Sequence, residues 1–105
     1  MESALDTKTA ILDISTAHVS IASRAWLDEQ SAISLAYRQE TDAQPIATIA
    51  GFGYGWFLTA NPAESAEALM PGDVKSVLKY ARAQGCSYVV LDRDSDQIEE
   101  LPAFE

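Results

Sequence analysis

Residue types that catalyse reactions or bind metals are scarce in this 105-residue chain, which has one cysteine and one histidine. Cys86 cannot form an internal disulfide, and one cysteine with one histidine does not make a zinc ligand set. No hydrophobic run approaches the ~18 residues of a membrane-spanning helix. The N-terminal residues MESALDTKTA lack the basic start and apolar centre of a signal peptide. These absences favour a cytoplasmic protein with no bound cofactor.

Positive charge is also scarce, because 7 Lys and Arg residues face 16 Asp and Glu residues, for a net charge of −9. The imbalance is strongest over residues 92–105, which carry six acidic residues and only Arg93 as a base. Such a chain is repelled by free nucleic acid and by anionic lipid. We therefore expect no direct nucleic-acid binding and no membrane binding, but a protein partner with a basic surface, such as the groove of a nucleic-acid-binding protein.

The length predicts a single domain, residues 1–105. Apolar periodicity and turn residues predict strands and helices separated by glycine, proline and polar segments, including a polar loop over 38–45. Glycines at 51, 53 and 55 favour a hairpin over one long strand, and Ser20 is a candidate helix N-cap. The predicted strands are 9–15, 46–51, 54–60 and 86–92, and the predicted helices are 20–33, 61 to about 70, and 73 to 84.

This succession predicts an α+β fold with βαββαβ (ferredoxin-like) order. We expect a single-layer, mainly antiparallel four-stranded sheet with the helices on one face. The last strand, CSYVVLD, is a nearly continuous apolar run and is predicted to be buried.

Three aspartates at alternate positions follow that strand in YVVLDRDSD: Asp92, Asp94 and Asp96. Carboxylates at this spacing can converge on a hard cation. The calcium-binding helix-loop-helix is excluded, because Gln97 and Ala103 stand where it requires glycine and glutamate. Only nine residues follow Asp96, too few for a phosphatase domain that begins with Asp-x-Asp. The interpretation is a solvated acidic loop without a metal; the alternative is a metal or ligand site built from Asp92, Asp94 and His18.

The segment Ser15-Thr16-Ala17-His18 places hydroxyl groups beside the only histidine. A nucleophile with a neighbouring base has this composition. However, the chain has no Gly-x-Ser-x-Gly elbow and no oxyanion loop. We interpret the hydroxyls as partners of backbone N–H groups at a helix start, and we predict no catalytic residues and no enzyme activity.

Four aromatic residues occur within six positions in GFGYGWF, residues 51–57. Because strand-like residues continue after the glycines, a hairpin is favoured over a phosphate-binding loop. Aromatic side chains on an acidic surface are typical of a protein interface, and core packing is the alternative. The predicted partner-binding residues are Tyr54, Trp56, Asp92, Asp94, Asp96, Glu99 and Glu100.

The motifs STAH, YGWF and LDRD, followed by LP and a phenylalanine, together resemble a family of small uncharacterised bacterial proteins, known as a domain of unknown function. That family is carried on plasmids, prophages and other mobile elements. The resemblance brings no established reaction, but implies a mobile-element context in which small acidic proteins counter host defences. The matching positions are Ser15, Thr16, His18, Gly55, Trp56, Asp92, Asp94, Leu101 and Pro102.

Charge, composition and resemblance lead to one main expectation and two alternatives. The main one is a small acidic, non-enzymatic protein-binding factor. It would act on a basic nucleic-acid-binding surface as an anti-CRISPR or antirestriction inhibitor. The first alternative is the metal- or ligand-binding domain at Asp92, Asp94 and His18. The second is a homodimeric regulatory module held together by the hairpin aromatics.

Overall fold

A computed structural model describes residues 10–38 and 49–104 of the chain. Strands and helices alternate along it much as the periodicity predicts, and the predicted polar loop falls mostly among residues 39–48, outside the described part. The strands are β1 (Ile11–Ile14), β2 (Ile49–Phe52), β3 (Gly55–Thr59) and β4 (Tyr88–Asp92), and the helices are α1 (Ile21–Arg38), α2 (Glu64–Glu67) and α3 (Gly72–Ala83), with a 3₁₀ turn at Thr16–His18.

The four strands form one mixed sheet in the order β1-β4-β3-β2. β2 and β3 are a hairpin and β3 pairs antiparallel with β4, but β1 pairs with β4 in parallel. The fold is therefore α+β, as predicted, while the sheet is not purely antiparallel. The ferredoxin-like arrangement is not confirmed, because the first strand lies at the edge and the last strand lies inside the sheet.

Alternate residues of the strands build the hydrophobic core on one face of the sheet, as the period of two in a strand requires. Val89 and Leu91 of β4 are paired in register with Leu58 and Trp56 of β3, and all four are buried. Side chains of α1 and α3 join them in one cluster, with members that include Leu27, Val74, Val77, Leu78 and Ala81. The helices thus cover one face of the sheet.

Helix α1 begins as its sequence predicts, because the Ser20 hydroxyl accepts a hydrogen bond from the Ser23 N–H at 3.1 Å. It ends at Arg38, five residues later than expected. Helix α3 stops at the predicted place, where Gly85 adopts the left-handed conformation with φ of 80°. None of the helices in the described ranges is long and apolar enough to cross a lipid bilayer.

Asp73, in the first turn of α3, joins that helix to the start of α1. Its carboxylate accepts hydrogen bonds from the Ser20 N–H at 2.7 Å, from the Val74 N–H at 3.0 Å and from the Ser23 hydroxyl. Partial burial alone would raise the pKa of Asp73, but these hydrogen bonds favour its charged form and lower the pKa below the ordinary 3.8. The contact fixes the two helices relative to each other over the core.

The C-terminal segment folds back over the 3₁₀ turn and is held there by His18. The buried His18 ring accepts a hydrogen bond from the Ile98 N–H at Nε2 (2.9 Å), and its Nδ1 lies 2.8 Å from the Pro102 carbonyl oxygen. An N–H can only donate and a carbonyl can only accept, so the ring proton is on Nδ1. The Phe104 N–H donates to the Ala17 carbonyl at 2.6 Å, and Leu101 is buried.

Candidate functional site

The sheet face opposite the helices exposes apolar side chains to solvent. Phe57 and Tyr88 are neighbours on adjacent strands, and their rings stack with centroids 5.3 Å apart. Their exposed fractions are 36% and 37%, and that of Ile11 on β1 is 47%. Val90 lies between β1 and β3 on this face and is half-buried. We call Ile11, Phe57, Tyr88 and Val90 the open sheet face.

Four aspartates border the open sheet face at one end, and we call Asp13, Asp92, Asp94 and Asp96 the acidic rim. Asp13 is directly opposite Val90 on the neighbouring strand, and Asp92 follows Val90 by two residues, on the same face. The turn after β4 brings Asp94 close to Asp92, because the Asp94 N–H donates to the Asp92 carboxylate at 2.9 Å. Asp96 lies beside the end of β1, because its backbone carbonyl accepts a hydrogen bond from the Ser15 N–H at 3.0 Å. The Ser95 hydroxyl donates to the Asp13 carboxylate at 2.5 Å.

Most of the residues predicted to bind a partner are on the surface. Asp94, Asp96, Glu99, Glu100 and Tyr54 are exposed, and Asp92 is half-buried at the end of β4. The carboxylates of this tail do not converge on one point. Among the residues that the structure describes, no three His, Cys, Asp or Glu side chains form a group that could hold a metal ion.

Trp56 is an exception, and the prediction of an exposed interface position there is corrected. It is 9% exposed and belongs to the hydrophobic core, and its indole N–H donates to the Asp28 carboxylate at 3.0 Å. Strand alternation explains the difference, because Trp56 points to the face that the helices cover while its neighbour Phe57 points to the other. Phe57 and Tyr88 are the aromatic pair that the sequence did not single out for the surface.

The hydroxyl and imidazole groups of the STAH segment are not arranged as a nucleophile and base. The Ser15 hydroxyl accepts from the Ala17 N–H at 3.0 Å, as expected for a helix start. Both ring nitrogens of His18 are occupied by backbone groups of the C-terminal segment. His18 therefore has no lone pair available for a metal, and among the described residues Asp92, Asp94 and His18 do not form a group that could hold a metal ion.

A second surface feature, which the sequence did not predict, is a cleft of about 330 Å³ between α1, the β2–β3 hairpin and the residue after β4. Its charged and aromatic lining residues are Arg24, Asp28, Phe52, Tyr54, Trp56 and Arg93, and we call it the arginine cleft. No short motif joins the two arginines, because they come from distant parts of the sequence. The only local signal is the four-residue spacing of Arg24 and Asp28, which places them on one side of a helix.

Of three comparisons with known proteins, one gives a match. No curated protein and no solved structure matches this chain. A family model described as the C-terminal domain of a family of unknown function, DUF5983, matches residues 11–105. That range includes every described strand and helix, the open sheet face, the acidic rim and the arginine cleft. The chain therefore belongs to the DUF5983 family, through its C-terminal domain.

Proposed function

We propose that this domain is a non-enzymatic protein-binding factor, and that the open sheet face and the acidic rim together bind a partner with a basic surface. The observation that carries the proposal is the exposed Phe57–Tyr88 stack, which lies on a sheet face bordered by four aspartates. An apolar centre with a charged border is the usual anatomy of a specific protein interface.

The apolar part supports affinity. Phe57 and Tyr88 are already stacked, so little rotational freedom remains for a partner to remove on binding. Aromatic residues at the centre of an interface account for a large share of its binding energy. Ile11 on the parallel neighbour β1 extends the same surface across a third strand.

The charged part supports a basic partner. Asp13, Asp94 and Asp96 are exposed, and the one described cation beside them, Arg93, lies only 3.9 Å from the Asp94 carboxylate. Exposed ion pairs contribute about 1 kcal/mol or less each, so the rim acts mainly by steering association and by rejecting acidic partners. The net charge of −9 adds to this long-range attraction.

The partner class that best matches this charge is a basic nucleic-acid-binding surface, so that the domain would act as an inhibitor that blocks it. A CRISPR or restriction complex met in the cytoplasm, in the mobile-element context that the sequence resemblance implies, is the specific form of this proposal. Its support is the charge and the resemblance. The proposed absence of enzyme activity is supported by Ser15 and His18, because their side-chain polar atoms are hydrogen-bonded to backbone groups.

The test begins with capture from a bacterial lysate at low salt and identification of the retained protein. Association and dissociation rates with that purified partner are then measured for designed variants. Asp94→Lys with Asp96→Lys should slow association about tenfold or more, because it replaces the attraction by repulsion. Phe57→Ser should speed dissociation about tenfold or more, as expected for loss of an aromatic anchor.

The control variant reverses the same amount of charge elsewhere. Glu29 on α1 and Glu64 on α2 are exposed acids away from the open sheet face, so Glu29→Lys with Glu64→Lys gives the same net charge. If that variant loses as much affinity, only overall charge matters and the acidic rim is not a site. If Phe57→Ser dissociates like the wild type, the open sheet face is not the interface.

A second copy of this chain is the competing occupant of the open sheet face. Two acidic rims would then approach each other, and their like charges would oppose association. The predicted homodimer contact at Trp56 is replaced by Phe57, since Trp56 is buried. Sedimentation would distinguish the two: a dimer that Phe57→Ser dissociates would replace the proposed partner by a second copy.

A further inference from the structure

Two of the few cations in this acidic chain line the same cleft. Among the five basic side chains that the structure describes, Arg82 forms a two-point pair with Glu67, at 3.0 Å for each contact, and Lys75 and Lys79 are on α3. The other two, Arg24 and Arg93, both line the arginine cleft. In a chain with a net charge of −9, two arginines in one cleft indicate a site for an anionic ligand.

Arg24 is held in place, and among the described residues it uses only one of its donors. Its Nε–H donates to the Val19 carbonyl at 3.1 Å, which fixes the plane of the guanidinium group. Asp28 is four residues further on the same helix, a spacing at which an arginine and an aspartate commonly pair. Asp28 instead accepts from the Trp56 indole. Within the described ranges, Arg24 therefore has no carboxylate partner.

Arg93 is positioned by an aromatic ring rather than by a strong ion pair. Its guanidinium carbon is 4.8 Å from the centroid of the Tyr54 ring, and its backbone N–H donates to the Tyr54 carbonyl at 2.9 Å. The contact to the Asp94 carboxylate is 3.9 Å long, between side chains that are 64% and 72% exposed. Stacking uses the face of a guanidinium group, so the in-plane N–H donors of Arg93 stay available to a ligand.

We propose that the arginine cleft binds a small phosphomonoester that also carries an aromatic ring, with nucleoside monophosphates as the biological class. Each arginine has five N–H donors, of which Arg24 uses one. Two such groups match the three acceptor oxygens and the charge of −1.5 to −2 of a phosphomonoester better than they match the two oxygens of a carboxylate. Tyr54 and Phe52, both exposed, provide apolar surface for a ring.

Size and electrostatics support a small ligand over a nucleic acid. The volume of about 330 Å³ is at the lower end of the range for small-molecule sites, roughly 300–1,000 Å³. The side chains of Arg24, Arg93 and Asp28 give the cleft a local excess of positive charge. At physiological salt the negative charges elsewhere are screened beyond about 8 Å, but a long polyanion would meet the acidic rim beside Arg93.

Calorimetric titration of the full chain with matched ligands tests the proposal. Phenyl phosphate carries both parts of the ligand, inorganic phosphate carries the anion alone, phenol carries the ring alone, and benzoate replaces phosphate by carboxylate. We expect phenyl phosphate to bind at least about tenfold more tightly than any of the other three. Adenosine monophosphate should bind like phenyl phosphate, and a 5′-phosphorylated oligonucleotide should bind more weakly. Equal weak binding of all ligands would overturn the proposal.

Variants locate the binding on the protein. Arg24→Gln keeps a donor for the Val19 carbonyl but removes the charge, and Arg93→Ala removes the stacked cation. Each should lower the affinity for phenyl phosphate about tenfold, as expected for loss of a charge-assisted contact. Lys79→Ala, an exposed lysine on α3, makes the same change in net charge outside the cleft and should leave affinity unchanged.

Two outcomes of these measurements would contradict ligand binding in the arginine cleft. Wild-type affinity in both arginine variants would place the ligand elsewhere, and an equal loss in Lys79→Ala would reduce the effect to net charge. Thermal unfolding of each variant, compared with the wild type, separates a local loss of binding from a damaged fold. Because the titrations use small ligands and no protein partner, their result is independent of the proposed protein partner.

Discussion

The two faces of the sheet carry similar apolar residues but have different surroundings. In β4, Val89 and Leu91 are completely buried under the helices, while Tyr88, one position away, is 37% exposed and Val90 is half-buried. The apolar run CSYVVLD predicted a buried strand, and the structure fully buries only the side chains on one of its faces. Apolar composition therefore identifies a strand, but it does not show how many of its faces are covered.

This difference separates residues that stabilise the fold from residues that are available for binding. Burial of a large aliphatic side chain contributes roughly 1.5–3 kcal/mol, so Leu91 and its neighbours on the core face stabilise the folded state. Phe57 and Tyr88 keep much of their surface in water and contribute less to folding. Their exposure is unfavourable in an isolated domain unless a partner covers it.

The largest expected effect is on the core face. Leu91→Ala should reduce the free energy of unfolding by about 2–5 kcal/mol, because it leaves a cavity beneath the helices. Val90→Ala, the adjacent substitution on the open sheet face, should cost about 1 kcal/mol or less, because Val90 is only half-buried. Urea denaturation followed by circular dichroism measures both, and equal losses would show that the two faces are equally covered.

The hairpin allows a second comparison between two glycines. A Cβ at Gly55 would lie 1.6 Å from the Leu91 carbonyl oxygen, while a Cβ at Gly53 would meet nothing within 4 Å. Gly55→Ala must therefore push β3 away from β4, and we expect it to cost about 2–3 kcal/mol. Gly53→Ala should change stability by less than about 0.5 kcal/mol. A stable Gly55→Ala variant would contradict the close approach of these strands.

His18 connects the core to the tail that carries part of the acidic rim. His18→Ala would leave the Ile98 N–H and the Pro102 carbonyl without their side-chain partner, at a cost of about 1–3 kcal/mol. Hydrogen exchange should speed up at the Ile98 and Phe104 amides more than at the amide of Val77 in α3. A uniform increase along the chain would instead indicate that His18 only supports global stability.

Asp73 should have the smallest effect, and one that depends on pH. Its pKa is lower in the folded chain than the ordinary 3.8, so it stabilises the fold fully at pH values well above 3.8. That contribution is lost as pH falls through the lower folded-state pKa. Asp73→Ala should therefore cost about 1 kcal/mol at pH 7, with a smaller cost below pH 3.8.

Glu64→Ala is the control for this pH dependence, because it removes an exposed carboxylate from the first turn of α2 instead. Urea unfolding of both variants at neutral and acidic pH makes the comparison. A cost of Asp73→Ala that stays constant as the pH falls would mean that its hydrogen bonds do not depend on the charge.

Local signals predicted the elements better than they predicted the site. Ser20 caps α1 through its hydroxyl, and Gly85 ends α3 in the left-handed conformation; both effects operate within a few residues. The glycine-rich segment after residue 50 turns a hairpin, as predicted. In contrast, His18 binds backbone groups about eighty residues further along the chain, and no spacing rule connects them.

Composition and short-range pattern alone therefore determined the helices and strands, the negative charge and the exposed acidic tail. Tertiary structure decided that β1 pairs in parallel with β4, that Phe57 rather than Trp56 faces solvent, and that two distant arginines share a cleft. The physical reason is range. Capping, turn formation and periodicity depend on neighbours within a few residues, while strand pairing and the covering of one sheet face depend on which distant surfaces exclude water together.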